Sequence, residues 1–395
     1  MALRRTNGEG TIYYNKKTQT YEGQFNYEDP ATGEKKKKKL SGKSMKLVSQ
    51  RGKEFLDKMK MERATVLASQ STAGTVRDWM NEWLEKYVRP GVRVKTYERY
   101  KCSINNHILP YIGSIAIDRL TAENVQNMMN GLLATGGTHQ KGLSARTVNT
   151  ARRALKSALD KACHLRKIDY NPVDATKASK TEKAEIYVLS RPQAKKLLAV
   201  SKEHDQTAHM AILLALATGM RIGEIFGLSW ENVDLDAKLL YVKQSLVSTN
   251  HGSRLESSPK TKAGYRQIEL PQRCIDELQA HRAWQEEQKK DWLDQYKENG
   301  LVISNPDGGY KDPSYFTAVV FKRMLAMAGI DTSVRFHDLR HTHATWLLEK
   351  GVHPKVVAER LGHSSIRITL DTYSHIIKGM QSVAVSKLDE IAEEW

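Results

Sequence analysis

Residues 209–219 read HMAILLALATG, and Arg221 follows two positions later. The segment is apolar on nearly every side of a helix, and such a helix is stable only inside a core. We therefore expect it to form the buried centre of a mainly helical domain. Residues 238–247 (KLLYVKQSLV) and 265–271 (YRQIELP) predict a small β-sheet at one edge of that domain.

A second helical module precedes this domain. From Val76 the sequence VRDWMNEWLEKYV repeats its large apolar residues about every 3.6 residues, the period of an α-helix. Further along, Ser144 is a good N-cap for a long helix that runs to about Lys167. One stripe of that helix predicts core packing; it comprises Val148, Leu155, Leu159, Ala162 and Leu165. This pattern predicts an all-α domain.

The first forty residues predict a third, much smaller unit. Residues 10–15, 20–27 and 33–40 are short strand-like segments separated by turn-forming residues, and a helix follows. Linker-like stretches near residues 68–75 and 172–185 then divide the chain into predicted domains of residues 1–70, 71–180 and 181–395.

Composition excludes several classes of protein. The chain has 395 residues, of which 40% are hydrophobic and 27% charged, as expected for a multidomain globular protein. Its longest apolar run, residues 210–217, is far shorter than the roughly 20 residues of a membrane span, and the N-terminus lacks the apolar core of a signal peptide. The three cysteines have no CxxC spacing, which argues against disulfides and cysteine zinc sites. We expect a cytoplasmic protein that does not contact a membrane.

The net charge of +17 is distributed unevenly. Residues 1–180 contain 34 Lys and Arg against 17 Asp and Glu, whereas residues 181–395 contain 28 of each class. An excess confined to one half predicts modules that hold a polyanion, joined to a domain of balanced charge. The alternative is a merely solubilising surface.

Two groups of cations are candidate DNA contacts in the basic half. One is the run Lys35, Lys36, Lys37, Lys38 and Lys39 on the last predicted strand, which equally fits a solvated edge that prevents aggregation. The other lies on the second face of the long helix, where Arg146, Arg153 and Lys156 share a stripe with Asn149. Basic residues on an exposed helix face are often simply solvated.

Three separated segments of the last domain concentrate Arg, Lys and His beside glycines. They read ATGMR (217–221), PKTKAGYR (259–266) and HDLRHTHATWLLEKG (337–351), the last continuing to LGHSS (361–365) and DTYSH (371–375). Guanidinium groups are the best side chains for binding two phosphate oxygens at once. The sequence contains no Walker motif and no tight carboxylate cluster, so nucleotide-driven and two-metal chemistry are disfavoured.

These segments resemble the signature of the tyrosine recombinase family, the phage-integrase-like site-specific recombinases. The resemblance is strong over residues 181–395, and residues 71–180 resemble the family's helical core-site-binding domain. Residues 1–70 resemble the three-stranded arm-binding domain of integrases from conjugative transposons and temperate phages of Gram-positive bacteria. The implied fold is a mainly α catalytic domain with a small edge sheet, an all-α domain and a small three-stranded β domain.

The resemblance implies a role for each matching residue. Arg221 and Arg340 match the phosphate-clamping arginines, and Glu224 matches the structural partner of the first. Active-site histidines are implied at His337 and His363, and the nucleophile at Tyr373. The general-acid lysine best matches Lys260, with Lys262 as the competitor. His337 is the residue expected to accept or orient the tyrosine proton, whereas His341 and His343 are expected to be structural rather than zinc ligands.

The implied activity is DNA strand exchange in a bacterial mobile element, through a 3′-phosphotyrosine and a Holliday junction, with no metal, nucleotide or other cofactor. The implied partners are double-stranded DNA with core and arm-type sites, three further copies of the chain in a homotetramer, and a DNA-bending or excision accessory protein. Two other functions stay open at this stage: a type IB topoisomerase-like relaxing enzyme and a non-catalytic DNA-binding regulator.

Overall fold

The computed structural model describes residues 11–30, 32–69, 74–137, 141–181, 186–249, 252–256, 264–378 and 381–392. For residues 64–69, 375–378, 381–384, 386 and 387 the description covers the backbone only. The chain divides into two compact units, residues 1–183 and 184–395. The prediction of a mainly helical protein with small sheets is confirmed.

The first unit contains one antiparallel sheet and a set of helices. Its elements are β1 (Thr11–Asn15), β2 (Thr20–Glu28), β3 (Lys35–Gly42), α1 (Met45–Ser69), α2 (Val76–Glu82), α3 (Val94–Ser103), α4 (Leu109–Ile112), α5 (Ala122–Thr135) and α6 (Ala145–His164). Single π-helical turns at Trp83–Val88 and Ile104–Ile108 extend α2 and α3, and short 3-10 turns lie at Arg89–Gly91, Ile117–Arg119 and Pro172–Ala175.

The sheet has the strand order β1-β2-β3, so the lysine-rich β3 is an edge strand. Helix α1 packs on one face, where Phe25 and Val48 are buried. Gly52 permits this packing, because a Cβ atom there would lie 2.0 Å from the Phe25 ring. The opposite face, called the open face below, presents Gln24 and Asn26 beside lysines of β3, together with the half-exposed Tyr13.

The helices of residues 75–173 enclose a separate core built largely from α2, α5 and α6. Helix α6 begins at Ser144, whose hydroxyl accepts a hydrogen bond from the backbone N–H of Thr147. Four residues of the predicted stripe, from Val148 to Ala162, are buried. The prediction for Leu165 is wrong, because this residue caps the end of α6 and its side chain is 40% exposed.

The second unit is mainly helical. Its helices are α7 (Arg191–His204), α8 (Gln206–Thr218), α9 (Ile222–Phe226), α10 (Gln272–Trp292), α11 (Pro313–Tyr315), α12 (Phe321–Met327), α13 (Phe336–Glu349), α14 (Pro354–Leu361), α15 (Ile366–Lys378) and α16 (Gln381–Ala392). Its strands are β4 (Val233–Asp234), β5 (Leu239–Val242), β6 (Ser245–Thr249), β7 (Gly252–Glu256) and β8 (Arg266–Glu269). A π-helical turn at Phe316–Val320 and 3-10 turns at Trp230–Asn232 and Leu293–Gln295 complete the description.

Helix α8 is the centre of this unit, as the sequence predicts. Nearly all of its residues are buried, and it packs against α7, α10 and α13. Strands β4, β5 and β8 form one antiparallel sheet, while β6 and β7 form a separate hairpin. Leu240 and Ile268, which pair across the sheet, are both buried and attach it to the core.

The C-terminus of α8 lies very close to α13 and α14. Gly219 ends α8 with a positive φ of 66°, and a Cβ atom there would lie 2.6 Å from Leu361 and 2.7 Å from His343. The glycine therefore allows three helices to meet at one point. Arg221, Arg340 and His363 come from the chain segments that converge there.

Candidate active site

Arg221 lies at the N-terminus of α9, immediately after the turn that ends α8. Its Nη1 donates to Glu224 Oε1 at 2.7 Å, and its Nη2 donates to the carbonyl oxygen of Gly362 at 3.2 Å. The partnership with Glu224 that the sequence predicts is present. Because the side chain of Arg221 is 42% exposed, the guanidinium can reach a ligand from solvent.

Glu224 is buried between two arginines. Its Oε2 accepts from Nη2 of Arg266 at 2.8 Å, and the Arg266 side chain is only 6% exposed. Burial by itself raises the pKa of Glu224, but the charges and hydrogen bonds of Arg266 and Arg221 outweigh burial and hold this pKa below its ordinary value. The carboxylate is therefore ionised and balances two cations.

Arg340 is almost completely buried in α13. Its Nη1 donates to the carbonyl oxygen of Gly219 at 2.7 Å, which fixes the guanidinium against the end of α8. Burial, followed by the charge of Arg221, lowers the pKa of Arg340 to about 9. The group still carries its proton at neutral pH. The site thus contains two guanidinium cations held by backbone carbonyls and one carboxylate.

His363 follows Gly362, which ends α14 in the left-handed region with a φ of 68°. The His363 Nδ1 lies 2.8 Å from the hydroxyl oxygen of Thr369. Burial and the nearby charges of Arg340 and Arg221 lower the pKa of His363 to about 4. His337, in the first turn of α13, also has a pKa lowered to about 4, first by burial and then by His341 and Arg340. Both imidazoles are neutral at pH 7.

Tyr373 lies within α15, at a kink where its own φ and ψ are −113° and 20°. The side chain is 1% exposed and packs in an apolar cluster with Ala344, Leu348, Val357 and Leu361. Burial raises the pKa of Tyr373 to about 12, against the lowering effect of Arg340. The phenol is therefore protonated at neutral pH and needs a proton acceptor before it can act as a nucleophile.

The Tyr373 hydroxyl is held by His341, at 2.8 Å from Nδ1, and not by His337. The ring of His337 instead contacts that of His341 edge to face, with centroids 4.9 Å apart. The sequence did not predict this contact of His341 with Tyr373. The spacing of four between His341 and His337 places both on one face of α13, a signal that motif matching overlooked.

His343 is structural, as expected. Its Nδ1 lies 2.8 Å from the carbonyl oxygen of Leu216, and Arg360 Nε donates to its Nε2 at 3.3 Å. Among the described residues, no group of three or more His, Cys, Asp and Glu side chains could hold a metal ion.

The predicted lysines Lys260 and Lys262 lie outside the described residues. The strands on either side of them are described: the β6–β7 hairpin ends at Glu256, and β8 begins at Arg266. The hairpin touches α9 closely, because a Cβ atom on Gly227 would lie 2.7 Å from the backbone nitrogen of Leu246. The segment with both lysines therefore connects the β6–β7 hairpin, which contacts α9, to β8. The first residue of β8 is Arg266, the second partner of Glu224.

The five lysines of β3 divide between two faces. Phe25 pairs with Lys38 across the sheet, so Lys36 and Lys38 share the face covered by α1. Lys36 forms an ion pair of 2.7 Å with Asp29, and Lys38 lies over the ring of Phe55. All five lysines are exposed to solvent, and three of them lie on the open face: Lys35, Lys37 and Lys39.

The basic stripe of α6 is only partly available to a ligand. Lys156 forms ion pairs with Asp174 and with Asp160, and Asn149 exchanges two hydrogen bonds with the backbone of Ser179. These contacts attach the segment after α6 to the helix. Arg146 and Arg153 are exposed on the same helix. Their role as DNA contacts, and that of Lys156, stays a prediction.

Two family models match the chain. The phage integrase family matches residues 187–379, and the N-terminal SAM-like domain of phage integrases matches residues 75–133. A "Tyrosine recombinase XerC-like" protein of Caldanaerobacter subterraneus subsp. tengcongensis is 32% identical over 336 residues, covering 80% of this chain and 83% of that protein. The chain belongs to the tyrosine recombinase family. Its members are enzymes that catalyse site-specific DNA recombination, and this recombinase is one of them.

Other similar proteins are named integrases. The ICEBs1 integrase of Bacillus subtilis is 26% identical to the recombinase, covering 75% of this chain and 77% of that protein. A fragment of the Tn1549 transposon integrase in complex with transposon right end DNA has a TM-score of 0.65 at 22% identity, covering 78% of this chain and 99% of that one. A lambda integrase dimer bound to a COC′ core site has a TM-score of 0.57 at 18% identity, and the match covers 94% of this chain and 96% of that one. These two likenesses show that the fold is shared.

In the part of the chain that the structure describes, no helix is long and apolar enough to cross a membrane. The recombinase has three free cysteines, of which Cys274 is buried, Cys163 partly buried and Cys102 exposed.

We expect Glu224→Ala to lower the free energy of unfolding of the second unit by about 3–5 kcal/mol, because the substitution leaves the buried Arg266 cation without its partner. Urea unfolding followed by tryptophan fluorescence measures the loss. Glu349→Ala, at the exposed end of α13, is the matched control and should change stability by less than about 0.5 kcal/mol. A loss below about 1 kcal/mol for Glu224→Ala would contradict this account of the network.

Proposed function

We propose that the recombinase cuts and rejoins DNA through a 3′-phosphotyrosine formed on Tyr373, with a Holliday junction as the intermediate of strand exchange. The observation that carries this proposal is the placement of a buried, protonated tyrosine in the same constellation as Arg221, Arg340 and His363.

The chemistry requires no metal or nucleotide. Two guanidinium groups supply donors for the non-bridging oxygens, which gain negative charge as Tyr373 attacks the phosphorus. The 5′-oxygen leaves with a proton, and Lys260 is the proposed donor, with Lys262 as the competitor. Because one phosphodiester is exchanged for another of similar energy, a 5′-hydroxyl of a different strand can reverse the step and reseal the DNA.

The domains fit a protein that contacts two kinds of DNA site. We propose residues 1–70 as an arm-type module, 71–180 as a core-site module and 181–395 as the catalytic domain. Support comes from the basic first half of the chain and from the two family models. We also propose a bacterial mobile element as the source and a DNA-bending or excision accessory protein as a partner, by analogy with the integrases among its relatives.

Assembly as a homotetramer is the next part of the proposal. A lambda integrase structure with a TM-score of 0.54 is a tetramer bound to a Holliday junction. In the recombinase, α16 exposes Val385 (51%), Leu388 (57%) and Ile391 (48%). These three lie on one stripe at spacings of three, and such an apolar face needs a partner surface. We propose that it docks on a neighbouring protomer and not on its own domain.

Tyr373→Phe should abolish the covalent protein–DNA adduct and leave DNA affinity within about twofold, because the hydroxyl is the nucleophile and contributes little to holding the duplex. A nicked suicide substrate carrying the core site reports the adduct by denaturing gel electrophoresis. Tyr315→Phe removes the same atom from a tyrosine that is 60% exposed and should form the adduct normally. An adduct in the Tyr373 variant would move the nucleophile elsewhere.

Replacing the three open-face lysines, Lys35, Lys37 and Lys39, with Gln should weaken arm-type DNA binding and flatten its salt dependence. Each lost phosphate contact should reduce the slope of log K against log salt by about 0.9. The matched control is the double variant of Lys36 and Lys38, which face α1, and its slope should change little. Equal changes in the salt slope for the two variants would show that the face of β3 on which a lysine lies does not determine its contribution to DNA binding.

Replacing Val385, Leu388 and Ile391 with Ser should leave single-site binding intact and abolish tetrameric complexes and strand exchange, because the proposed docking surface is lost. Light scattering of protein–DNA complexes and a two-site recombination assay measure both. Asp389→Asn with Glu390→Gln, on exposed neighbouring positions, is the control. A triple Ser variant that still forms tetramers would refute docking through this stripe, and relaxation of supercoiled DNA by a monomer would favour a topoisomerase-like function.

A further inference from the structure

A cavity of about 360 Å³ lies in the second unit beside the segment that contains Arg221. Part of its wall consists of Met220 and Ile222, the residues directly before and after Arg221 in the sequence. The rest of the wall includes residues 335–337, where α13 begins, and Lys322 of α12. A ligand in this cavity would therefore lie next to whatever Arg221 binds.

Arg335 presents to this cavity a guanidinium that is held in place but only partly hydrogen-bonded. Its Nη2 and Nε donate to the two carboxylate oxygens of Asp338, at 2.7 and 3.2 Å, and Asp338 is 2% exposed. A guanidinium has five N–H donors, and this side-on contact uses two of them. The Arg335 side chain is 54% exposed, and no residue within the described ranges accepts a hydrogen bond from its Nη1. The outer edge, formed by Nη1 and Nη2, can therefore bind an anion.

The cavity carries more positive than negative charge. Hydrogen bonding to Asp338 raises the pKa of Arg335 above its ordinary value, so the guanidinium stays charged. Lys322 is a second cation, and its ammonium donates to the backbone carbonyl oxygens of Thr332 and Val334. It forms no ion pair with a carboxylate of the described residues, so its charge is held by neutral dipoles and is not cancelled. Two cations against one buried carboxylate suit an anionic ligand.

We propose that the cavity binds a second phosphate of the DNA strand that is cleaved, and that Arg335 is the ligand of this non-scissile phosphate. The inference rests on the proposed function, because it takes Arg221 and Arg340 as the site of the scissile phosphate. A DNA strand has one phosphate per roughly 3.4 Å of helix axis. With the scissile phosphate on Arg221, the next phosphate of the strand comes within reach of the cavity that Met220 and Ile222 line.

The chemistry of the cavity fits a phosphodiester. Two parallel N–H donors of a guanidinium match the two non-bridging oxygens of a phosphate. The apolar side chains of Met220, Ile222 and Phe336 line the same cavity, which suits the adjoining deoxyribose and strengthens the ionic contact by excluding water. Phosphate contacts fix the position of a strand without reading its sequence. A strand held at two phosphates cannot rotate about the first, so Arg335 orients the scissile phosphate toward Tyr373.

The alternative is a purely structural role for Arg335 through Asp338. The backbone N–H of residue 335 also donates to Asp338, at 2.7 Å, and only proline would remove this bond. At the start of α2, Thr75 makes the same backbone contact with Asp78 at 3.0 Å, and its hydroxyl donates to Asp78 at 2.6 Å. Arg335→Thr should reproduce this arrangement at the start of α13 and keep the fold, while the guanidinium is lost.

The first measurement is the affinity for a core-site duplex, made in the Tyr373→Phe protein so that no strand is cut. We expect Arg335→Thr to weaken binding by about 10- to 100-fold, the effect of losing a hydrogen bond between charged groups. The slope of log K against log salt should fall by about 0.9, the value for one phosphate contact. Arg323→Thr is the matched control, because Arg323 is exposed on α12 and does not line the cavity. It should bind with nearly unchanged affinity.

A series of modified duplexes identifies the phosphate. Each duplex carries one methylphosphonate, which is uncharged, at a different position around the cleavage site of the cut strand. At the phosphate that Arg335 binds, this change should weaken binding about as much as Arg335→Thr does, and it should cost the Arg335→Thr protein nothing further. At other positions the two losses should add. The expected position is a direct neighbour of the scissile phosphate.

Additive losses at every position would overturn the proposal, because a structural effect of Arg335 is not linked to any one phosphate. Binding of free phosphate in place of the strand would also overturn it. Calorimetric titration with inorganic phosphate in the absence of DNA would then show saturable binding that Arg335→Thr abolishes, and the methylphosphonate series would show no coupling. If Arg335→Thr does not fold by circular dichroism, Arg335→Gln takes its place with the same expected results.

Failure of the proposed function is a separate outcome, since it would appear as no covalent adduct with the wild-type protein. The coupling between Arg335 and a phosphate is measured in a protein that lacks the Tyr373 hydroxyl. Either result can therefore occur without the other.

Discussion

The buried carboxylate of Glu224 offsets the repulsion among Arg221, Arg266 and Arg340, whose charges act on one another. The buried carboxylate binds Arg221 through one oxygen and Arg266 through the other. Arg340 has no carboxylate of its own and is held by the carbonyl oxygen of Gly219. Neutral dipoles and one shared anion thus keep the cations in place without cancelling the charge that a phosphate would need.

The same burial sets the protonation states of the other groups. His337, His341 and His363 have pKa values below the ordinary value, with burial as the leading cause in each case, while Tyr373 has a raised one. Desolvation favours the neutral form of each group. It therefore keeps the three histidines unprotonated and able to accept a proton, and it keeps the Tyr373 hydroxyl protonated. The site combines fixed cations with neutral proton carriers, an arrangement suited to phosphoryl transfer by a tyrosine.

The N-terminal sheet is an example of how backbone geometry divides a simple sequence. Five consecutive lysines alternate between the faces of β3, because successive side chains of a strand point in opposite directions. Lys36 and Lys38 have contacts on the α1 side, whereas the open face has the other three beside Gln24 and Asn26 of the neighbouring strand. Cations and amides together on one open face are groups that contact phosphates and base edges.

The sequence by itself determined the helical class, the buried α8, the small sheets and the family, since these follow from apolar periodicity and from motifs contained in short segments. The partnership of Arg221 with Glu224 was also predictable, because three residues along a helix bring side chains together. Tertiary structure alone decided that His341 and not His337 holds Tyr373, because that contact joins residues 32 positions apart on two packed helices. It likewise decided that Lys156 is paired with Asp174 and that Leu165 is exposed where its helix ends. Periodicity specifies which side of an element faces the core, whereas the meeting of two polar groups depends on how separate elements pack.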